Sequence, residues 1–288
     1  MAISFKTLSY IYDEGMPYEH IALDDINLNI TEGKITAIIG ETGSGKSTLV
    51  EHLNALLLPS KGELEVLDHV VVAKKKNKGL KALRKDVGIV FQFSEYQLFE
   101  ETILKDVAFG PKNFGMDENE ATKKAIEALK MVGIDEKLFN NSPLDLSGGQ
   151  KRRVAIAGIL AIDPKVLVLD EPTAGLDPKG AKEMIDLFVT LNKKYHKTVI
   201  IVSHDNEMVY NYADETVLMS HGKIEYAGDT LKLFNDDSLI KDHNLLEPQI
   251  VTFKKELKAQ GFKVGDDIRT LDELAKAITK EIKKRWIT

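Results

Sequence analysis

Short apolar runs alternate with segments of helical periodicity through most of the chain. Runs of four or five apolar residues predict strands that are buried on both faces, and apolar residues spaced three and four apart predict amphipathic helices. The predicted buried strands are 35–39, 87–91, 166–169 and 198–202, and the predicted helices are 45–57, 117–132, 151–161 and 180–192. Strands that alternate with helices indicate a parallel sheet covered by helices, that is, an α/β fold.

Both ends of the chain differ from this central pattern. The first 30 residues alternate apolar and polar positions, which predicts antiparallel strands. After Gly228 the sequence becomes charged and helical, and Thr270 and Glu273 have the spacing of a helix capping box. We therefore expect a large domain at 1–228 and a small helical domain at 229–288.

Composition narrows the classes of protein that fit. Apolar residues make up 43% and charged residues 29% of the chain, which is typical of a globular protein. A net charge of −6 argues against sequence-independent binding to nucleic acid, and the absence of cysteine excludes disulfides and thiolate metal sites. The longest run without a polar side chain is 154–162, which is too short for a membrane span. Any membrane part is therefore expected to come from other subunits.

A glycine-rich motif lies between a predicted strand and a predicted helix. Gly40-Glu-Thr-Gly-Ser-Gly-Lys-Ser47 fits the pattern G-x-x-x-x-G-K-[ST], whose backbone N–H groups surround phosphate oxygens at a helix N-terminus. Lys46 is expected to reach the β- and γ-phosphates and Ser47 to bind Mg²⁺. A ligand-free glycine turn is the alternative, but the strand and helix on either side favour phosphate binding. The predicted contacts are Gly40, Glu41, Thr42, Gly43, Ser44, Gly45, Lys46, Ser47 and Thr48.

Two carboxylates end one of the buried strands. Asp170 and Glu171 follow the apolar run 166–169 directly. Asp170 can hold Mg²⁺, usually through water, and Glu171 can polarise an attacking water molecule. Such a pair alone is more often a solvated turn, but together with the phosphate loop it predicts a hydrolytic site for a nucleoside triphosphate.

A second glycine motif, Leu146-Ser-Gly-Gly-Gln150, precedes the predicted helix at 151–161. Glycines at a helix start expose N–H groups to an anion, although they can also be purely structural. The motif matches the signature of ABC-type ATPases, in its proper order between the two phosphate motifs, and residues 1 to about 228 resemble that family. The resemblance implies that the signature binds nucleotide through Ser147, Gly148, Gly149 and Gln150.

The resemblance also assigns roles to isolated residues. Gln92 resembles the Q-loop glutamine, which completes the Mg²⁺ shell and senses the transport subunit, and residues 174–177 resemble the D-loop. His204 resembles the switch histidine that contacts the γ-phosphate, although a lone histidine there is usually packed or capping. Tyr12 lies where the family places an aromatic on adenine. Tyr10 is a weaker candidate, and strand aromatics are often only packing.

The family implies a P-loop NTPase core with a parallel sheet, an N-terminal antiparallel β-subdomain and a helical subdomain at about 93–160 that carries the signature. The helical domain at 229–288 is then a candidate for dimerisation. The family places the signature of one subunit over the nucleotide of another, so two subunits are expected. ATP and Mg²⁺ are the expected cofactors. The implied catalytic residues are Lys46, Gln92, Glu171 and His204, and the implied Mg²⁺ ligands are Ser47, Gln92 and Asp170.

A narrower resemblance covers residues 91–111, which look like the ATPases of energy-coupling factor (ECF) transporters, except that Ser94 replaces a common proline. The loop at 13–20 and Gln97-Leu-Phe99 look like the second of their two ATPase types. This implies a paired second ATPase, a membrane T subunit, a substrate-binding S subunit, and a peripheral position on the cytoplasmic face of the cell membrane. The cargo is then a vitamin or other micronutrient. A cobalt or nickel ECF system, another ABC importer and an efflux system are the alternatives.

The segment after the Q-loop glutamine predicts the contact with the membrane subunit. Leu98 and Phe99 are flanked by Glu95, Glu100 and Glu101. An apolar pair with an acidic rim suits a groove for a helix end that carries arginine, and the T subunit of the ECF family presents such a motif. The alternative is that Leu98 and Phe99 are core residues and the glutamates are solvated.

Overall fold

The computed structural model describes the backbone of residues 2–287 and the side chains of residues 2–283. The strands are β1 (Ile3–Tyr12), β2 (His20–Ile30), β3 (Ile35–Gly40), β4 (Lys61–Val66), β5 (His69–Val72), β6 (Val87–Val90), β7 (Val166–Asp170), β8 (Thr198–Val202), β9 (Glu215–Ser220) and β10 (Lys223–Asp229). The α-helices are α1 (Lys46–Leu53), α2 (Leu80–Asp86), α3 (Ile103–Asn113), α4 (Glu118–Met131), α5 (Gly148–Leu160), α6 (Pro178–Tyr195), α7 (Asn206–Tyr212), α8 (Thr230–Phe234), α9 (Asp237–Asp242), α10 (Gln249–Ala259) and α11 (Leu271–Ile287).

A six-stranded sheet forms the centre of the molecule, with the strand order β10-β9-β3-β8-β7-β6. All neighbouring pairs are parallel except β9 and β10. Successive apolar residues of each strand point to opposite faces: Ile38 and Val168 join one apolar cluster, whereas Ile39 and Leu169 join the other. Both faces are therefore buried, and the predicted α/β core is confirmed.

The two faces of this sheet carry different subdomains. A four-stranded antiparallel sheet, in the order β2-β1-β4-β5, shares one apolar cluster with α1. Helices α3, α4 and α5 contribute to the cluster on the other face. The predicted antiparallel N-terminal subdomain and the helical subdomain are therefore both present. In the described part of the chain, every helix is too short or too polar to traverse a lipid bilayer.

The predicted helix at 45–57 is too long, because α1 ends at Leu53. Ala55 has a φ of 54° and donates its N–H to the carbonyl of His52 at 2.9 Å, a left-handed turn of the kind that ends helices. The Asn54 side chain then accepts the N–H of Leu56 at 3.1 Å. The periodicity predicted Leu56 on the buried side, but this side chain is 52% exposed.

The C-terminal helices pack against α7. Phe234 of α8 and Ile250 of α10 belong to the same apolar cluster as the helical subdomain. Lys254 of α10 is 1% exposed, and its Nζ donates to the Tyr210 hydroxyl at 2.7 Å and to the carbonyl of Ile268 at 3.2 Å. These bonds attach the C-terminal helices, called the tail below, to α7, the helix that follows β8. Helix α7 lies at the edge of the sheet where the site described next is located.

Candidate active site

A cleft of about 450 Å³ lies at the carboxyl ends of β3, β6, β7 and β8. Ligands of α/β proteins generally bind at this edge, because loops from several parallel strands meet there. The cleft is lined by Tyr12, His20, Ala22, Thr42, Gly43, Gly45, Lys46, Ser47, Thr48, Gln92, Asp170, Glu171, Val202 and His204. The fold thus brings the phosphate loop, the acidic pair, the glutamine and the histidine into one cavity.

The phosphate loop needs glycine at two of its positions. Gly40 has a φ of 143°, and a Cβ there would lie 2.1 Å from the carbonyl oxygen of Met219. Gly45 has a φ of 98°, and a Cβ there would lie 2.6 Å from the carbonyl oxygen of Ala22. Helix α1 begins at the next residue, so its free N–H groups are at the mouth of the loop.

Lys46 occupies the interior of this loop. Its Nζ donates to the carbonyls of Gly40 at 2.8 Å and Glu41 at 2.7 Å, and it lies 3.5 Å from the hydroxyl of buried Ser44. Burial lowers the pKa of Lys46, and the nearby charge of Glu171 opposes that shift. The ammonium is therefore held among neutral oxygens that phosphate oxygens can replace. Gly40 and Glu41 themselves line a neighbouring cleft rather than this cavity.

The acidic pair at the end of β7 faces Lys46 across the cavity. Burial raises the pKa of the Asp170 carboxyl, the charge of Glu171 raises it further, and Lys46 lowers it. Glu171 has a φ of 47°, which is rare for a residue with a Cβ and costs about 1–3 kcal/mol. Its N–H donates to the carbonyl of Val202 at 3.0 Å, which holds this conformation. The sequence contains no signal for that strain. In the folded chain the Glu171 carboxylate lies beside His204.

His204 and Gln92 complete the polar lining of the cavity. The Nδ1 atom of His204 lies 2.9 Å from Oε1 of Glu171, and the histidine side chain is 79% exposed. Asp205, not His204, caps helix α7. The two structural alternatives for this histidine, core packing and helix capping, therefore do not apply. Gln92 is exposed two residues after the end of β6 and lines the same cavity.

Tyr12 also lines this cavity. Its hydroxyl lies 3.2 Å from Oγ1 of Thr48, and its ring is partly exposed to the cleft. Tyr10 packs edge-on behind Tyr12 with a centroid distance of 4.8 Å, and edge-on against His52 at 5.0 Å. Tyr12 thus lines the cleft, whereas Tyr10 packs against Tyr12 and is not among the lining residues.

His52 in α1 gives the fold a testable pH dependence. The ring is fully buried, its Nδ1 lies 2.7 Å from the carbonyl of Thr48, and its Nε2 has no partner among the described residues. Burial lowers the pKa of His52 from 6.5 to about 4. The unfolded chain therefore binds more protons than the folded one between these pH values. The free energy of unfolding should fall by about 3 kcal/mol from this group as the pH drops from 6.5 to 4.

Urea unfolding of the wild type and of His52→Phe, followed by circular dichroism at several pH values, measures this effect. The variant lacks the titrating group, so its stability should decline less steeply below pH 6.5 than that of the wild type. Parallel curves for the two proteins would contradict a buried neutral histidine.

A different cleft, of about 280 Å³, is lined by Ser147, Gly149 and Gln150 of the signature together with Leu176 and Asp177, but not by Gly148. Helix α5 begins at Gly148, three residues before the predicted start, because the glycines belong to its first turn. Ser147 is the N-cap: its Oγ accepts the N–H of Gln150 at 3.4 Å, and Oε1 of Gln150 accepts the N–H of Ser147 at 3.0 Å. Within one chain, the signature is therefore not brought to the phosphate loop.

The segment after Gln92 agrees only in part with the predicted groove. Phe99 is 64% exposed and packs edge-on against Phe109 with a centroid distance of 5.0 Å, so it is not a core residue. Glu101 is exposed and forms an ion pair with a lysine one helical turn away. The prediction that Glu95 lies on a free acidic rim is wrong. Glu95 is mostly buried and forms an ion pair with Arg152, which sequence reasoning did not single out.

Comparison with known proteins agrees with this geometry. The family model for the ABC transporter matches residues 23–174. The chain is 49% identical over 284 residues to the "Energy-coupling factor transporter ATP-binding protein EcfA2" of Enterococcus faecalis, covering 99% of this chain and 98% of that protein. It is 50% identical over 282 residues to the protein of the same name from Lactiplantibacillus plantarum, covering 98% and 96% of the two chains.

Solved structures show the same fold. CbiO1 of Clostridium perfringens, described as part of the ABC transporter complex cbiONQ, superposes with a TM-score of 0.73 at 40% identity, over 88% of this chain and 98% of that one. The ATP-binding cassette MJ0796, a dimer bound to ADP and Pi, gives a TM-score of 0.70 at 33% identity, over 79% and 98%. The chain therefore belongs to the ABC transporter family and, within it, to the ATP-binding subunits of energy-coupling factor transporters.

Proposed function

We propose that this subunit hydrolyses ATP in a sandwich with a second, different ATPase subunit, and that the complex energises import of a vitamin or other micronutrient. The observation that carries the proposal is the separation of two half-sites. The phosphate loop and acidic pair line one cleft, and Ser147 and Gly149 line another. A complete site then needs the signature of a second subunit over this chain's nucleotide.

Within the cavity the described residues suit a triphosphate with Mg²⁺. No cluster of three or more His, Asp or Glu side chains among the described residues could hold a metal by itself. Mg²⁺ is commonly bound by one or two carboxylates together with substrate phosphates, and bound Mg²⁺ neutralises charge that develops on those phosphates. We propose that Asp170, the Ser47 hydroxyl and the Gln92 amide hold the ion, and that Lys46 binds the β- and γ-phosphates.

Glu171 and His204 supply the catalytic groups in this proposal. The carboxylate of Glu171 orients and polarises the attacking water, because it lines the same cavity as Lys46 and Asp170. The 2.9 Å contact between Glu171 and His204 keeps the two side chains together, so His204 can contact the γ-phosphate next to the water. Tyr12 stacks on the adenine.

The partners are proposed from two kinds of support. The relatives named above are ECF transporter ATP-binding proteins, and CbiO1 is described as part of a transporter complex. On this chain, the exposed rings of Phe99 and Phe109 offer an apolar surface beside the segment that follows Gln92. We propose that a membrane T subunit docks there, at the cytoplasmic face, and that an S subunit selects the cargo. We also propose that the chain divides into an ATP-binding domain at 1–228 and a helical domain at 229–288, which pack together through a shared apolar cluster.

Co-purification from membranes tests this assignment. Phe99→Glu places a charge on the proposed docking surface and should release the tagged subunit from its membrane partners, because a desolvated carboxylate without a partner is costly at an interface. ATP binding by the released subunit should persist. Val70→Glu is the matched control, since Val70 is also exposed, at 53%, but lies on the edge strand β5 of the antiparallel sheet. Retention of the membrane subunits by Phe99→Glu, or their equal loss in both variants, would contradict this docking surface.

A further inference from the structure

Arg152 in helix α5 is a charged residue at a buried position. Its side chain is only 6% exposed, and it forms a two-pronged ion pair with Glu95, 57 residues earlier in the chain. Nε lies 3.2 Å from Oε2 of Glu95, and Nη2 lies 3.1 Å from Oε1. The guanidinium plane thus joins the signature helix to the segment that follows Gln92.

The remaining nitrogen of the same guanidinium reaches a third segment. Nη1 donates to the carbonyl of Pro172 at 3.4 Å and to the carbonyl of Ala174. Pro172 directly follows Glu171, and Ala174 begins the D-loop motif. Arg152 is therefore hydrogen-bonded at once to the loop that carries the proposed catalytic carboxylate and to the segment after the glutamine of the Mg²⁺ site.

The guanidinium of arginine is planar and has five N–H donors, so it can make all of these bonds at the same time. A lysine ammonium at the same place cannot. A buried ion pair of this kind is weak evidence for stability, because the loss of hydration offsets much of the attraction. Its geometry is better explained by a need to fix three segments relative to one another: helix α5, the segment after Gln92 and the loop after Glu171. Glu171 has a strained backbone, so its loop needs such external support.

We propose that Arg152 is a positioning residue for ATP hydrolysis, which holds the Glu171 loop in register with the signature helix and the segment after Gln92. One side chain thus links the helical subdomain directly to the catalytic loop. The proposal rests on the role proposed above for Glu171. It predicts a defect in the rate of hydrolysis and not in the binding of ATP, because no atom of Arg152 lines the nucleotide cleft.

The experiment uses the assembled transporter and measures kcat, the dissociation constant for ATP, and the melting temperature. Arg152→Lys keeps the positive charge and loses the planar guanidinium with its several donors. Glu95→Gln keeps the size and shape of the side chain and loses the ion pair. Each should lower kcat by about tenfold or more, since a displacement of about 1 Å at a reacting group can cost that much. The dissociation constant for ATP should stay within about twofold. The double variant should lose little beyond the single variants, because both act through one contact.

Arg269→Lys is the matched control for general loss of packing. Arg269 also donates to two backbone carbonyls, those of Tyr210 at 3.1 Å and Ala213 at 2.6 Å, but it lies in the tail. It should lower the melting temperature without a comparable fall in kcat. Wild-type kcat in Arg152→Lys, an equal fall in Arg269→Lys, or additive losses in the double variant would overturn the proposal. Glu171→Gln, measured in parallel, separates the two ideas: normal hydrolysis in that variant would instead overturn the proposed function of Glu171.

Discussion

Glu171→Gln is expected to leave ATP bound while it slows hydrolysis at this site by about 10²–10⁴-fold, the usual contribution of a general base. Glutamine keeps the size of the side chain and loses the basic oxygen. The strained backbone at Glu171 is held by its N–H bond to Val202, which this substitution does not change, so the loop geometry should persist. The contact with His204 can be kept through the amide oxygen.

Single-turnover hydrolysis measures the slower chemical step, and equilibrium binding measures whether ATP stays bound, both in the assembled transporter. Single-turnover conditions report the chemical step and exclude product release. Glu65→Gln is the control, because Glu65 is a half-exposed carboxylate on the antiparallel sheet, ion-paired with Lys6. A Glu171→Gln variant that hydrolyses bound ATP at the wild-type rate would remove this residue from the catalytic role.

The parts of the site that the sequence predicted are those whose chemistry is local. The phosphate loop is one such part, because backbone direction, glycine positions and the following helix lie within eight consecutive residues. Asp170 is another, since the end of a buried parallel strand fixes which edge of the sheet its carboxylate occupies. His204 and Gln92 depended on family resemblance, because a lone polar residue after a strand has many ordinary explanations.

The contacts that the sequence did not predict are long-range or conformational. From the sequence alone, Glu95 and Arg152 would each be expected to lie in solvent, as charged residues usually do, and only the folded chain brings them together in the interior. One signal was available: Arg152 lies four residues before buried Ile156, so the two share one side of α5. The left-handed turn at Ala55 and the strained backbone of Glu171 have no comparable signal, because neither residue type favours that conformation.

Lys254 in the tail is another charged residue whose burial could not be predicted from the sequence. Lys254 belongs to a charged helical stretch, and composition alone predicts that its ammonium is in water. The fold buries it because the Tyr210 hydroxyl and two backbone carbonyls, those of Asp266 and Ile268, accept its three protons. Burial lowers the pKa of Lys254 in consequence. Periodicity indicates which residues are apolar, but it does not reveal which polar residues find partners inside.

Lys46→Ala is expected to weaken ATP binding by one to two orders of magnitude or more, which corresponds to the loss of one or two charge-assisted hydrogen bonds of about 1.5–3 kcal/mol each. The Nζ of Lys46 now bonds to the carbonyls of Gly40 and Glu41, and bound phosphate would draw it into the cleft. Alanine leaves the loop backbone intact, because the positive φ angles belong to its glycines. The defect should therefore be electrostatic and should not come from unfolding.

Equilibrium titration with labelled ATP, with circular dichroism to confirm the fold, measures this loss, and Lys76→Ala is the control for removal of an exposed lysine. The two variants have the same net charge, so a difference between them isolates the position of the ammonium. The loss in Lys46→Ala should also depend on the number of phosphates, with a larger effect on ATP than on AMP, because the lysine is assigned to the β- and γ-phosphates. Equal affinities of Lys46→Ala and Lys76→Ala for ATP would mean that Lys46 makes no bond to phosphate. Equal losses for ATP and AMP would place the lysine at the wrong end of the nucleotide.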